Sequence, residues 1–281
     1  MPPDNDLSSS GDVYVFPRYL AGLPGHADPS FDPVAHWPHH YPETGPCQLV
    51  VASSDHRIRI GWFGDDYDTW VISAAEDPVS PPRWTARINH TTPPEIVEGL
   101  TRALADEWTE DSNTFLTQPS VYWADGIRPL LDAGWKRNPP RHGFVDIVAP
   151  DGLAGASIDV ADPDPDAETV TLWAGPPGWP TRAQAVFTAR TPAHLVAATA
   201  AALADPTPVI RSTTSLHPRL AELAQLTPVE PPKPAVPTPL DVHRAAAARR
   251  PTVLPARSAR RWTTSTPPPP AHPAARPGLR R

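Results

Sequence analysis

The sequence predicts an α+β protein made of two tandem repeats, each an antiparallel β-meander with a short helix and a longer amphipathic helix. A disordered C-terminal tail rich in proline and arginine is expected to follow. Three observations predict this organisation: a segment that recurs 99 residues later, short runs of alternating apolar and polar residues, and a final region dense in proline. Antiparallel strands covered by helices are a common α+β layer arrangement.

The repeat is clearest in a helical segment near the middle of the chain. Residues 92–106 return 99 positions later as residues 191–205, with seven of fifteen identical. Matches upstream keep the same order, since Asp55 aligns with Asp151 and Trp37 with Trp135. A fixed period of this length is typical of one folding unit used twice. The alignment predicts a first repeat over 12–111 and a second over 119–206.

Short apolar runs predict the strands and the short helix of each repeat. Residues 13–16 and their counterparts 120–123 are aromatic and β-branched, as strands require. A short helix is predicted after Asp32, with proline at its first position, and again over 129–135 before Trp135. Further strands are predicted over 48–52, 57–62, 69–73 and 84–89 in the first repeat and over 144–148, 169–173 and 183–188 in the second.

Each repeat is predicted to end in an amphipathic helix. Thr92, Pro93 and Glu95 have the pattern of a capping box, in which the threonine hydroxyl and the glutamate each satisfy an unpaired backbone N–H. Thr191 and Pro192 begin the second copy. The helices carry apolar stripes at helical spacing, formed by Ile96, Val97, Leu100 and Leu104 in the first copy and by Leu195, Val196 and Leu203 in the second.

Proline and charge divide the chain near residue 227. The chain has 42 prolines in 281 residues, about three times the usual share, and 14 of them follow residue 226. That region carries ten basic and two acidic residues, a net charge of +8, whereas the rest carries 14 basic and 29 acidic residues, a net charge of −15. We therefore expect a disordered N-terminus over 1–11, a short helical connector over 207–226 and a disordered basic tail over 227–281.

The cysteine content and the apolar runs of the chain predict its cellular compartment. Cys47 is the single cysteine, so no internal disulfide forms, and a small buried thiol is the expected state. The first residues lack a basic start and an apolar run, and no stretch of eighteen apolar residues occurs. A cytoplasmic protein without a membrane partner is expected.

The repeated phrases resemble the actinobacterial SPDY domain family, a domain of unknown function. The resemblance is carried by residues 13–22, 54–62, 129–135 and 149–152, and it covers both repeats but not the tail. Neither copy has the Ser-Pro-Asp core of that family. Ser54 stands in place of the proline in the first copy, and Ala149 stands in place of the serine in the second. The resemblance implies the fold and the tandem layout and no catalytic residue. The motif positions it marks are Asp55, Trp62, Trp70, Thr92, Pro93, Asp151, Thr191 and Pro192.

Two clusters of polar residues were candidates for metal sites, and the sequence favours neither. The histidines at positions 26, 36, 39 and 40 are close to Asp32 and Glu43, but Pro38 breaks any helix that would direct two rings at one point. The acidic loops 65–68 and 162–166 lack the glycine and distal glutamate of a calcium loop. We therefore expect no catalytic, cofactor or metal residues, and no cofactor.

Three functions remain open on the sequence. The leading hypothesis is a non-enzymatic scaffold that binds an unknown protein partner through the tandem module. The alternative is a regulatory factor that contacts nucleic acid through the tail, where Arg257, Arg260, Arg261 and Trp262 form a basic cluster with one aromatic ring. A remote alternative is an enzyme with a cleft between the repeats.

Overall fold

The structure, a computed structural model, describes residues 11–22, 28–64, 69–109, 113–176, 178, 182–229 and 239–248. Residues 1–230 form one compact unit and residues 231–281 a second. The first unit contains ten strands in one antiparallel sheet, a smaller three-stranded sheet, and five of the six α-helices of the described residues. The predicted α+β class is confirmed.

The ten-stranded sheet is built symmetrically from the two repeats. Its strands in chain order are β2 (His39–His40), β3 (Leu49–Ala52), β4 (Ile58–Trp62), β5 (Trp70–Ala74), β6 (Trp84–Ile88), β7 (Lys136–Arg137), β8 (Phe144–Val148), β9 (Ala154–Asp159), β10 (Glu168–Ala174) and β11 (Ala183–Thr188). Their spatial order is β2-β3-β4-β5-β6-β11-β10-β9-β8-β7. The strands of each repeat follow one another in the same order from the outer edge of the sheet to its centre. An approximate two-fold axis between β6 and β11 therefore relates the two repeats.

The helices pack against one face of this sheet. They are α1 (Asp28–Phe31), α2 (Pro94–Thr109), α3 (Arg128–Asp132) and α4 (Ala193–Ala204). Strand residues alternate in burial: Ile58 and Ile60 are buried whereas Arg59 between them is exposed. The predicted stripes of α2 and α4 are confirmed, because every residue named in them is buried in the same hydrophobic core as the inner face of the sheet. This shared core joins the two repeats into one body.

The N-terminal strand does not belong to the repeat sheet. Strand β1 (Asp12–Val15) lies between β12 (Val209–Ser212) and β13 (Thr227–Pro228) in the small sheet. The predicted counterpart of β1 over 120–123 is wrong: those residues form a loop that enters a 3₁₀ turn at Trp123–Asp125. Aromatic and β-branched residues are compatible with a strand, but these residues pair with no strand of either sheet.

The C-terminal part of the first unit contains more than a helix. The predicted connector over 207–226 holds β12 and α5 (Pro218–Leu223), and β13 pairs with β1 just beyond it. The folded part of the first unit therefore continues through β13, past the expected boundary at 227. In the second unit, α6 (Pro239–Ala248) is described. Within the described residues, no helix is long and apolar enough to cross a membrane.

Candidate functional site

The motif aspartate of the first repeat is bound within the β3–β4 turn. Asp55 Oδ1 accepts hydrogen bonds from Ser53 Oγ at 2.7 Å and from the backbone N–H of Arg57 at 3.1 Å. The Arg57 guanidinium pairs with the other carboxylate oxygen. It also donates to Asn113 Oδ1 at 2.8 Å and lies over the Phe115 ring, 5.1 Å from its centroid. The aspartate therefore links the turn to the segment between the repeats.

The motif aspartate of the second repeat has partners from a different part of the chain. Asp151 Oδ1 accepts the backbone N–H of Leu153 at 2.9 Å. Its Oδ2 accepts the Tyr19 hydroxyl at 2.6 Å and Arg18 Nη2 at 3.1 Å, and Tyr19 is almost fully buried. Both partners lie on the 3₁₀ turn Pro17–Leu20 that follows β1. Asp151 therefore fastens the N-terminal segment to the second repeat.

Hydrogen bonding sets the protonation of both aspartates. Burial by itself raises the pKa of each carboxyl, but the donors outweigh it. Ser53 and Arg57 lower the pKa of Asp55, and Tyr19, Leu153 and Arg18 lower the pKa of Asp151. Burial and the bond to Asp151 raise the pKa of the Tyr19 hydroxyl. Both carboxyl groups are therefore ionised at neutral pH and accept hydrogen bonds from other groups of the chain, which is the expected state of an aspartate that stabilises the fold.

Replacing Asp151 by asparagine is expected to lower the free energy of unfolding at neutral pH by about 1–2 kcal/mol, because hydrogen bonds to a charged acceptor weaken. A carboxyl whose pKa is lowered by folding stabilises the protein above its unfolded pKa, here 3.8, and loses that effect as the pH falls through the folded value. Urea unfolding from pH 7 to pH 2.5 should therefore show the two curves converging below about pH 4.

A matched control for the Asp151→Asn variant is Asp132→Asn. Asp132 is 73% exposed and stands 3.9 Å from Arg128, so its loss should change stability by less than about 0.5 kcal/mol. If Asp151→Asn changes the free energy of unfolding at pH 7 as little as this control does, the hydrogen bonds of Asp151 to Tyr19 and Arg18 do not stabilise the fold.

Thr92 joins the two repeats and does not cap a helix. Helix α2 begins at Pro94. The single proton of Thr92 Oγ1 lies between two acceptors, Asn89 Oδ1 at 2.8 Å and the Gln184 carbonyl at 3.1 Å, and the same oxygen accepts the Gln184 N–H at 3.1 Å. The backbone N–H of Gln184 returns a bond to Asn89 Oδ1 at 3.0 Å. The predicted capping box is wrong, because Glu95 pairs with Arg211 on β12 and the Thr92 N–H donates to the Asn89 carbonyl. Pro93 provides the carbonyl for the first turn.

The second copy of this motif is likewise uncapped. Pro192 is the residue before α4, and no side chain caps the helix. Thr191 Oγ1 lies 3.4 Å from Thr188 Oγ1, which accepts the backbone N–H of Thr85 at 3.0 Å. Thr92 therefore bonds backbone atoms of the other repeat directly, whereas Thr191 contacts Thr188, whose hydroxyl makes the bond to the first repeat.

The motif tryptophans of the first repeat form a cross-strand pair with no equivalent in the second. Trp62 on β4 is paired with Trp70 on β5, and Phe31 packs on Trp70 with ring centroids 4.3 Å apart. In the second repeat the same register places Ile158 opposite Val170. The repeats therefore share a backbone but differ in side-chain volume at this point.

A cavity of about 320 Å³ lies where the second repeat has the smaller pair. Ile158 and Val170 line it from the sheet, and Val196 lines it from α4. Tyr122 and Trp123 line it from the loop that precedes α3. Two missing indole side chains leave space that the surrounding backbone does not close, because packed secondary structure relaxes only partially around a lost side chain.

The cavity opens to solvent through an apolar rim. Val121 is 89% exposed, Tyr122 is 70% exposed and Val160 is 48% exposed, and all three line the opening. Val121 and Tyr122 belong to the segment for which the sequence wrongly predicted a strand. Exposed apolar side chains around a concave surface are typical of a binding site. Of the predicted motif positions, Thr191 alone is among the lining residues.

The other predicted features lie elsewhere. His39 and His40 form the exposed strand β2, and the described residues contain no group of three or more possible metal ligands. Cys47 is half-buried, and its thiol lies 3.4 Å from the Leu49 carbonyl. In the acidic loop of the second repeat, Asp162 and Asp164 accept backbone N–H groups of their own loop. His26, the loop 65–68 and the tail cluster Arg257, Arg260, Arg261 and Trp262 lie outside the described residues.

The described residues of the two repeats are in close contact at their junction. Residues 86–88 of β6 pair directly with residues 185–187 of β11. Gly99 of α2 is so close to α4 that a Cβ atom there would stand 2.6 Å from Ala202 Cβ. The cavity that both repeats line at this junction measures about 10 Å³, room for about one water molecule. This junction offers no room for a ligand at that cavity, and an enzyme with a cleft between the repeats stays a prediction.

The comparisons with known proteins agree with the symmetric fold. The model of the SPDY domain, a domain of unknown function (DUF317), matches residues 52–108 and residues 148–209. The first match runs from β3 into α2, and the second from β8 into β12, so each contains the Asp turn, the meander and the long helix. No curated protein and no solved structure matches the chain.

Proposed function

Because residues 52–108 and 148–209 each match the SPDY domain, we propose that this chain is a tandem SPDY-domain protein with a non-enzymatic binding role. The first repeat serves as the scaffold, and the second repeat recognises a protein partner through the cavity beside α4. The proposal depends on one observation: two tryptophans, Trp62 and Trp70, occupy this position in the first repeat, whereas the smaller Ile158 and Val170 line an open cavity in the second.

Two further features support a recognition role. The cavity volume is at the lower end of the range for ligand pockets, and its opening is continued by apolar side chains in solvent. The motif aspartates, by contrast, are occupied by hydrogen-bond donors of the chain itself. Nucleic-acid contact through the tail remains a second possibility supported by charge alone, so the cavity carries the proposal.

The test fills the cavity with the side chain that the first repeat uses. Val170→Trp should abolish capture of the protein partner from a lysate of the native cells by the immobilised full-length chain, because the indole occupies the recognition site. Thr171→Trp is the matched control, since Thr171 follows on the same strand and points to the opposite face of the sheet. Quantitative mass spectrometry of the captured proteins provides the measurement.

A second variant keeps the test independent of folding. Tyr122 is 70% exposed at the rim, and Tyr41 is 73% exposed in the first repeat, so truncating either leaves the core intact. Tyr122→Ala should weaken capture of the same partner about tenfold, a size typical of an aromatic contact at an interface, while Tyr41→Ala should not. Recovery of one unchanged set of proteins by all four variants would contradict the proposal.

A further inference from the structure

The cavity of the second repeat has an acidic side that no basic residue neutralises within the part of the chain that the structure describes. Asp159, at the end of β9, and Asp162, in the loop after it, both line the cavity. Asp159 Oδ1 accepts the backbone N–H of Ala161 at 2.9 Å, and Asp162 Oδ1 accepts that of Asp164 at 2.9 Å. Neither carboxylate has an arginine, lysine or histidine partner among the described residues. Two negative charges therefore border a cavity whose lining is partly apolar.

Neighbouring acids on the same hairpin are paired differently. Asp166 lies 3.6 Å from Arg190, and Glu168 lies 3.5 Å from Arg87. The arginines of this region thus neutralise acids outside the cavity and leave the two that line it. A carboxylate without a cationic partner beside a concave surface favours a cationic ligand group over an anionic or neutral one, because the local potential is negative.

The aromatic rim offers a place for that cation. Arg137 already lies over the Trp123 ring, 5.1 Å from its centroid. Tyr122 has no comparable ring partner in the described part of the chain, and most of its side chain faces solvent. A guanidinium or ammonium group on the ligand can contact the Tyr122 face and the carboxylates at once, since cations favour both surfaces.

The size of the site favours a peptide over a single small molecule. A volume of about 320 Å³ accommodates one or two side chains. The exposed side chains of Val121 and Val160 continue the apolar surface beyond the cavity, so the occupant extends past it. A peptide segment provides such a shape, with one side chain inserted and the next residues lying along the rim.

We propose that the second repeat binds a peptide segment of its partner in which an apolar side chain is followed or preceded by arginine or lysine. The apolar side chain enters the cavity against Ile158 and Val170, and the cation lies beside Asp159 and Asp162. This inference rests on the proposed function, because it names the chemistry of the partner at that same site.

The experiment presents a random octapeptide library on phage to the immobilised full-length chain. Peptides with an apolar residue next to arginine or lysine should be enriched, and Val170→Trp should remove the enrichment while Thr171→Trp should not. The best peptide, synthesised with a fluorophore, is then titrated against the Asp159→Asn/Asp162→Asn variant. Its affinity should fall about threefold to tenfold, as expected for two solvent-accessible ion pairs.

Two controls isolate the charge. Replacing the cation of the peptide by citrulline should reproduce the loss and make binding insensitive to salt between 50 and 300 mM, because screening acts on charge pairs. Asp164→Asn should leave the affinity unchanged, since Asp164 lies in the same loop and is not among the residues that line the cavity.

The outcomes separate this inference from the proposed function. Apolar peptides that are enriched without a cation, and that Val170→Trp abolishes, overturn the charged motif and support the binding site. Lysate capture that Val170→Trp abolishes, with no octapeptide enriched, overturns the peptide inference and leaves the proposed function in place. Enrichment that none of the cavity variants changes overturns the site for both.

Discussion

Replacing Trp84 with alanine should lower the free energy of unfolding by about 3–5 kcal/mol, the range for truncating a fully buried aromatic side chain. Trp84 on β6 is 1% exposed, and its indole Nε1 donates to the Phe115 carbonyl at 2.6 Å. The variant creates a large cavity and leaves that buried carbonyl without its donor. A domain of this size is typically stable by about 5–15 kcal/mol, so the loss is a large fraction of the total.

Urea unfolding followed by circular dichroism measures this change, with Trp173→Ala as the control. Trp173 on β10 is half-exposed on the other face of the sheet, where Arg182 lies over its ring at 4.2 Å. Its truncation should cost about 1–2 kcal/mol, since it loses partial burial and one cation–π contact. Equal losses for the two variants would mean that the core beneath β6 does not anchor the fold.

Gly99→Val should separate the two long helices and lower the free energy of unfolding by about 2–3 kcal/mol. A Cβ at Gly99 would stand 2.6 Å from Ala202 Cβ and 3.0 Å from the Ala198 carbonyl oxygen, both on α4. Overpacking of a close contact costs about 1–3 kcal/mol, and backbone atoms cannot move aside as a flexible side chain can. The steric cost exceeds the gain of a few tenths of a kcal/mol from replacing glycine by valine in a helix.

The same substitution should also weaken partner capture, because α4 provides Ala193 and Val196 to the lining of the cavity. Asp106→Val is the matched control, placing valine at an exposed position of α2. That variant should change stability by less than about 0.5 kcal/mol. A stable Gly99→Val protein with normal capture would show that the helix contact is looser than the Gly99–Ala202 distance indicates.

Much of the repeat architecture could be predicted because it depends on local pattern. The alternation from Arg57 to Trp62 fixes which side chains face the core, and strand β4 follows it within one residue. The 99-residue recurrence predicted the tandem layout, and it also aligns Gly99 with Ala198. These two residues face each other where the helices cross, as expected near a two-fold axis.

The errors arose where a partner distant in sequence decided the outcome. The Thr92–Glu95 spacing indicates a capping box. In the structure the threonine hydroxyl bonds Asn89 and Gln184 instead, and the glutamate forms an ion pair with Arg211. The run 120–123 has the composition of a strand, but β1 pairs with β12 and β13 instead of with the repeat sheet. Local propensity is overridden when tertiary contacts satisfy the same polar groups better.

The sequence contains a signal for the candidate site, although the motif search did not predict the site. The alignment of Thr69 with Thr169 also places Val170 at the position of Trp70, and this loss of volume was the available signal. A volume difference becomes a cavity only if no neighbouring segment fills it, and that depends on where the loop around Tyr122 lies. The motif phrases instead mark Asp55 and Asp151, whose hydrogen-bond partners belong to the chain itself.

The sequence by itself determined the two repeats, their strands and amphipathic helices, and the change in proline and charge near residue 227, because each depends on residues close together in the chain. Tertiary structure alone decided that the repeats share one sheet and one core, that Asp151 holds the N-terminal segment, and that the second repeat is open where the first is filled. Those features depend on contacts between residues up to about 130 positions apart, such as Tyr19 and Asp151, and no local pattern specifies which of the possible partners packs best.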